Sequence, residues 1–139
     1  YELDRPVIAQ IHGACTSSGL ALALACDLRI SAASASLGVA HHRVGLTGDY
    51  GLMWLLPRTI GPARATEMLM MGDVLPAPRA EAIGLVHRVV PDDKLGDEVQ
   101  SWAAKLAAGP RMAQAMTAMT DTIMPVIRRQ AQELTAASS

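Results

Sequence analysis

The residues best suited to chemistry fall in two short stretches. The first is Thr16-Ser17-Ser18-Gly19, set between an apolar run, Pro6-Val-Ile-Ala-Gln-Ile11, and a Leu/Ala-rich run from Gly19 to Cys26. At a helix start, such a stretch leaves unpaired backbone N–H groups at the positive end of the helix dipole. Small side chains let a ligand come close to that backbone. A carbonyl oxygen that turns negative in a transition state would be stabilised there. The second stretch is Gly45-Leu-Thr-Gly-Asp-Tyr-Gly51, a glycine-punctuated turn whose one acid, Asp49, is placed to cap the helix that follows. His41 stands just before it. Histidine titrates near neutrality, so His41 is a candidate proton carrier, against the plainer reading of a polar rim residue.

Other reactive side chains point to less. His41 and His42 are neighbours and would face opposite sides of a strand, which makes them a poor metal pair. No cysteine or carboxylate stands beside them at ligand spacing, so no metal is expected. Ser17 and Ser18 lack the Gly-x-Ser-x-Gly setting of a nucleophilic serine. Cys15 has no histidine fixed beside it. Asp27, between a helix and a strand, is expected to tie down backbone N–H groups. His12 reads as a loop hydrogen-bonder, and His87 is given no role.

The elements that must position these residues are legible in outline. Pro6–Ile11 reads as a buried strand and His12–Ser18 as a tight loop. The helix through Cys26 starts near Ser17 or Ser18, either of which suits its N-cap. Leu28–Ser31 is a second strand, so strand, helix and strand form a βαβ unit with parallel strands and a right-handed crossover. Leu37–Val39 is a short strand. A helix runs to about Arg58, and the next has Pro62 at its first position and Gly72 at its end. A short helix stops at Gly84, Leu85–Val90 is a strand, and Pro91 ends it. From Asp92 the pattern is helical: about 93–108, a break at Gly109-Pro110, then about 111–123 and 125–136. Met112, Met116 and Met119 recur at helical spacing, as core or subunit-interface packing does. The change of pattern suggests two regions, 1–91 and 92–139, with no internal repeat.

The chain has 139 residues and a net charge of −1, the size of one domain able to bury a core. Without a basic excess, and with only 3% aromatic residues, it has neither the charge nor the stacking platforms for nucleic acid. Its longest apolar run, Gly19 to Cys26, is far short of a membrane span. Two cysteines and no signal peptide suit a reducing compartment, so a cytoplasmic location is expected. The first residue is not Met, and the chain leads almost at once into a strand, as a piece of a longer protein would.

Taken together, Pro6-Val-Ile-Ala-Gln-Ile-His-Gly13, Ser18-Gly19 and Ala23-Leu-Ala-Cys-Asp-Leu-Arg-Ile30 resemble the signature of the enoyl-CoA hydratase/isomerase (crotonase) superfamily. Val44-Gly-Leu, Gly51, Leu56-Pro-Arg, Ile60-Gly61, Leu69 to Gly72, Ala80-Glu-Ala-Ile-Gly-Leu-Val86 and Val89-Val-Pro91 follow in family order. The resemblance implies an α/β fold, a partial spiral of ββα units followed by a C-terminal helical trimerisation region. It also implies an acyl-CoA thioester substrate and no cofactor beyond the coenzyme A of that substrate. The thioester enolate is stabilised by two backbone N–H groups. One aligns with Ser18, and the other belongs to a strand–loop unit preceding Tyr1. Ala14, Ser17, Gly19 and Gly48 fall at substrate-binding positions. Family members are about twice this length, so the chain resembles the C-terminal half. A homotrimer or hexamer, or association with an N-terminal half, follows from the same resemblance, as does self-association through a truncated strand edge.

The departures matter as much. The catalytic glutamate of hydratases, just after the glycine turn, is Ala21 here, and a methyl group transfers no proton. Their second glutamate aligns with His41. The glycine triplet reads Ser17-Ser18-Gly19. Asp49 stands where dienoyl-CoA isomerases and 4-chlorobenzoyl-CoA dehalogenase-like members carry a functional aspartate, a general base in the former and a nucleophile in the latter. The sequence therefore favours an enolate-forming enzyme with Asp49, Ser18 and His41 as its catalytic set. A truncated or non-catalytic acyl-CoA-binding or assembly subunit is the alternative.

Overall fold

The computed structural model describes residues 5–110. The chain runs strand, strand, helix, and then repeats that order. The first turn is β1 (Ile8–Ile11), β2 (Ala14–Thr16) and α1 (Ser18–Ala25). The second is β3 (Leu28–Ala32), β4 (Ser36–Gly38), a 3-10 helix at His41–Val44 and α2 (Leu52–Ile60). Then come α3 (Pro62–Met71), β5 (Val74–Pro76), α4 (Ala77–Ala82), β6 (Arg88–Val90), a 3-10 helix at Asp92–Lys94 and α5 (Leu95–Ala107).

Successive turns stack in register. β1 lies parallel to β3, from Ile8 opposite Leu28 to Ile11 opposite Ser31. β2 lies parallel to β4, from Ala14 opposite Ser36 to Thr16 opposite Gly38. Each turn thus adds one strand to each of two sheets, ordered β1-β3-β6 and β2-β4-β5. That is a spiral of ββα units, and α1 supplies the crossover its parallel strands require. The short side chains of α1 let it sit deep: Leu20, Ala21, Ala23 and Leu24 are buried. Leu20, Ile30, Leu37, Leu52, Leu56 and Leu85 are sealed in the core between the turns.

Two polar devices lock the layers. Asp27 accepts the Val7 N–H at 2.7 Å, the tie expected of it. The buried Arg29 donates from Nε to the Leu85 carbonyl at 2.9 Å and from a terminal nitrogen to the Cys26 carbonyl at 2.8 Å.

Several expectations are corrected. The presumed loop His12–Ser18 contains β2, because Ala14–Thr16 find a strand partner in β4 that only the second turn provides. Val74–Pro76, to which the sequence assigned no element, is β5, antiparallel to the other side of β4. His41 and His42 are in a 3-10 helix, not a strand. Gly45, at φ 72°, ends that helix in the left-handed region. The strand expected over Leu85–Val90 begins at Arg88, because Leu85 N–H instead closes α4 on Ala80 O. At residue 87 the imidazole replaces part of the ladder: Arg29 N–H donates to His87 Nδ1 at 3.1 Å. Asp49 does not cap α2 with its side chain. Gly51 holds that position at φ 78°, and Asp49 contributes only its carbonyl, which accepts Leu52 N–H at 2.8 Å. Pro62 and Gly72 bound α3 as expected. The two later helices, with Met112, Met116 and Met119, lie outside the described residues. Among those residues no helix is long and apolar enough to cross a membrane.

Candidate active site

The site is built where the two turns of the spiral meet. Ser17 occupies the N-cap of α1 with φ 53° and ψ −116°, a region that glycine enters freely and a serine rarely. Holding a side-chain-bearing residue there costs about 1–3 kcal/mol. Two bonds to the neighbouring turn hold it: Ser17 N–H donates to Gly38 O at 2.9 Å. The Ser17 hydroxyl accepts Ala40 N–H at 3.2 Å. The hydroxyl is thereby spent on the β4 side and makes no capping bond. The first helical bond runs from Ala21 N–H to Ser17 O, so the N–H groups of Ser18, Gly19 and Leu20 have no partner among the described residues.

Asp49 lies directly over this helix start. The Ser18 hydroxyl donates to Asp49 Oδ1 at 3.2 Å and lies 3.5 Å from Oδ2. From the other side His41 Nε2 stands 2.9 Å from the same Oδ1. His41 is 7% exposed while the Asp49 side chain is 49% exposed, so a buried ring holds a carboxylate that reaches solvent. The ring is placed by its backbone: Leu46 N–H closes the turn on His41 O at 3.0 Å. Next to it, a side chain added at Gly72 would collide with the His42 ring, and Arg43 donates to Gly72 O at 3.1 Å. The 3-10 helix is therefore anchored on the end of α3.

Ser18, His41 and Asp49 are thus one cluster. Ser17 supports it from below, and Gly48 adjoins it, packed against Met53. Ala14 and Gly19 lie apart, on the rim of an open cavity of about 300 Å³ behind α1 with Ile11, Cys15 and Leu22. Cys15 is buried, which pushes its thiol pKa up and keeps it from acting as a thiolate. No group of three or more His, Cys, Asp or Glu among the described residues is gathered to hold a metal ion.

The chain matches the family model described as enoyl-CoA hydratase/isomerase over residues 1–138. The chain belongs to this family. It is 43% identical over 119 residues to a probable enoyl-CoA hydratase of Mycobacterium tuberculosis, a match covering 85% of this chain and 42% of that protein. It is 39% identical over 109 residues to the 1,2-epoxyphenylacetyl-CoA isomerase of Escherichia coli, covering 78% of this chain and 42% of that one. The crystal structure of enoyl-CoA hydratase from Bacillus anthracis superposes with a TM-score of 0.85 at 33% identity, over 94% of this chain and 53% of that one. The chain therefore has the crotonase fold and spans about half the length of such relatives.

Within this enoyl-CoA hydratase/isomerase chain, Ala21 and His41 have different surroundings. Ala21 is 1% exposed and packs into the core from the first turn of α1. His41 turns to Asp49. Sequence reasoning named Ser18, His41 and Asp49 one by one and missed that they touch. The Ser18–Asp49 bond spans 31 residues, and no local pattern reports it. One signal was available: serine in place of a turn glycine announces either a strained backbone or a hydroxyl with work to do. Ser17 shows the first and Ser18 the second.

Proposed function

We propose that the protein moves a proton within an acyl-CoA thioester, an isomerase-type reaction, with Asp49 as the acid/base. The C–H bond conjugated with the thioester breaks, its proton goes to the Asp49 carboxylate, and the electron pair flows to the thioester oxygen as an enolate. Asp49 returns the proton at a different carbon, so atoms and charge balance without a co-reactant. Ser18 N–H stabilises the enolate oxygen. In the longer members of the family a second N–H comes from an N-terminal strand–loop unit. The observation that carries this reading is the 3.2 Å bond between the Ser18 hydroxyl and Asp49, which puts the base and the oxyanion donor on adjoining groups. With Ala21 and His41 at the glutamate positions, a two-glutamate hydration route has no acid pair to use.

The reading calls for no cofactor beyond the coenzyme A carried by the substrate, because proton transfer alone is required. Two free cysteines suit work in the cytoplasm. The edge positions of β1 and β2 in their sheets and the exposed Leu22 suit a trimer or hexamer, or association with an N-terminal half.

The test is turnover of 3-enoyl-CoA and crotonyl-CoA. Asp49→Asn should lower kcat by about 10²–10⁴-fold, the range for losing a general acid/base, while Cys15→Ala retains activity. Full activity in Asp49→Asn refutes the assignment. Tight acyl-CoA binding without turnover would instead favour a non-catalytic binding subunit, the reading that the buried methyl of Ala21 supports.

A further inference from the structure

Among the described residues, His41 Nδ1 is the buried side-chain polar atom that meets no hydrogen-bond partner. The ring has two nitrogens with separate duties. Nε2 faces a carboxylate oxygen at 2.9 Å, and a carboxylate only accepts, so Nε2 carries a proton. A charged imidazolium would need a second proton on Nδ1, which would then be a buried donor with nothing to receive it. A bare Nδ1 lone pair is the milder of the two unpaired states. The charged and titratable groups near the ring are Asp49 on the α2 side and His42 and Arg43 on its own 3-10 helix. Arg43 is turned to Gly72 O, and the His42 ring lies against Gly72.

We infer that His41 is a positioning residue, a neutral imidazole that donates from Nε2 to Asp49 Oδ1 and leaves Oδ2 as the oxygen that takes the substrate proton. The inference rests on the reading of Asp49 as the acid/base. A proton relay needs a second face, and Nδ1 is sealed inside the fold. Oδ1 is occupied twice, by His41 at 2.9 Å and by Ser18 at 3.2 Å. Oδ2 has only the long 3.5 Å approach of the Ser18 hydroxyl, on a side chain that is half exposed. Fixing one oxygen with two donors also fixes the plane of the carboxylate, and so the direction from which Oδ2 meets a C–H bond. This chain's exchange of glutamate for histidine thereby turns a second acid into a clamp on the one that remains.

The test has two arms. In the first, the chain is labelled with 15N-histidine and the ring nitrogens of His41 are read by NMR at neutral pH, assigned by their loss in His41→Gln. The expected result is a proton on Nε2 and a bare Nδ1. A proton on Nδ1, alone or together with Nε2, overturns the inference whether or not any substrate is turned over. In the second, His41→Gln and His41→Leu are compared on the 3-enoyl-CoA that the wild type isomerises. Glutamine can donate to Oδ1 but cannot carry a proton. It should keep kcat within about 3-fold, whereas leucine should lower kcat by about 100-fold with KM little changed, the effect of a displaced catalytic group. Equal losses in both variants overturn the positioning role. If Asp49→Asn retains full turnover, the acid/base reading fails, and the ring nitrogens still report separately on the hydrogen bond.

Discussion

Gly38→Ala probes the joint on which the site depends. Gly38 sits in β4 with its Cα facing the Asp73–Val74 backbone. A β-carbon there would lie 2.2 Å from Asp73 O and 2.6 Å from Val74 Cα. The first separation is about 1.2 Å short of the 3.4 Å at which ordinary contact begins. Both obstacles are backbone, so no side chain can swing aside. The strands must part, and if they open along that line the Val39 N–H to Asp73 O bond, now 3.1 Å, stretches to about 4.3 Å and is lost. Overpacking costs about 1–3 kcal/mol, and a hydrogen bond broken at a buried joint about 1–3 kcal/mol more. The expected loss is about 2–6 kcal/mol, a large share of a domain stability of about 5–15 kcal/mol. Gly38 O also accepts the Ser17 N–H that holds the strained helix start, so the damage reaches the start of α1 beside Asp49. The assay is guanidinium unfolding of the wild type and two variants. The second variant, Gly96→Ala, adds a methyl to the first turn of α5 where nothing lies within 4 Å. It should be neutral, or more stable by about 0.5–1 kcal/mol. If Gly38→Ala unfolds within 0.5 kcal/mol of the wild type, the steric account of β4 and β5 is wrong.

Two further predictions concern Arg29 and the His87 ring that faces its backbone. Arg29→Met keeps volume but removes two charge-assisted bonds, to Leu85 O and Cys26 O, each worth about 1.5–3 kcal/mol. Urea unfolding should show a loss of about 3 kcal/mol or more, and a loss under about 1 kcal/mol would refute the lock. The His87 pKa is lowered by desolvation and by the charge of Arg29, so the fold disfavours the protonated ring. Its contribution is present above its unfolded pKa near 6.5 and is lost as pH falls through the folded value. Unfolding midpoints between pH 7 and 5 should therefore fall less steeply in His87→Asn, whose amide oxygen can still accept Arg29 N–H. An unchanged slope would refute the assignment.

Much of the fold could be read locally. The βαβ unit, the start of α3 at Pro62 and its end at Gly72 each follow from residues close to one another in the chain. β2 and β5 could not be read that way. Three residues such as Ala14–Thr16 have little strand signature of their own. They are strands because β4 lies between them and offers hydrogen bonds on both sides. For the same reason a local rule misplaced Asp49. Its spacing suits a helix cap, but its carboxylate is bound instead by Ser18 from the preceding turn and by His41 from its own turn.

The sequence by itself carried the family resemblance and the βαβ unit of β1, α1 and β3, because these depend on residue types and short spacings. It also singled out Ser18, His41 and Asp49 as separate candidates. Only the tertiary structure decided that they form one cluster, that Ala21 is sealed in the core, and that His41 presents one nitrogen to Asp49 and buries the other. The physical reason is the spiral. Stacking one turn on the next brings a helix start and a loop 31 residues later within hydrogen-bond distance, and that proximity is a property of the stacked backbone that no short pattern encodes.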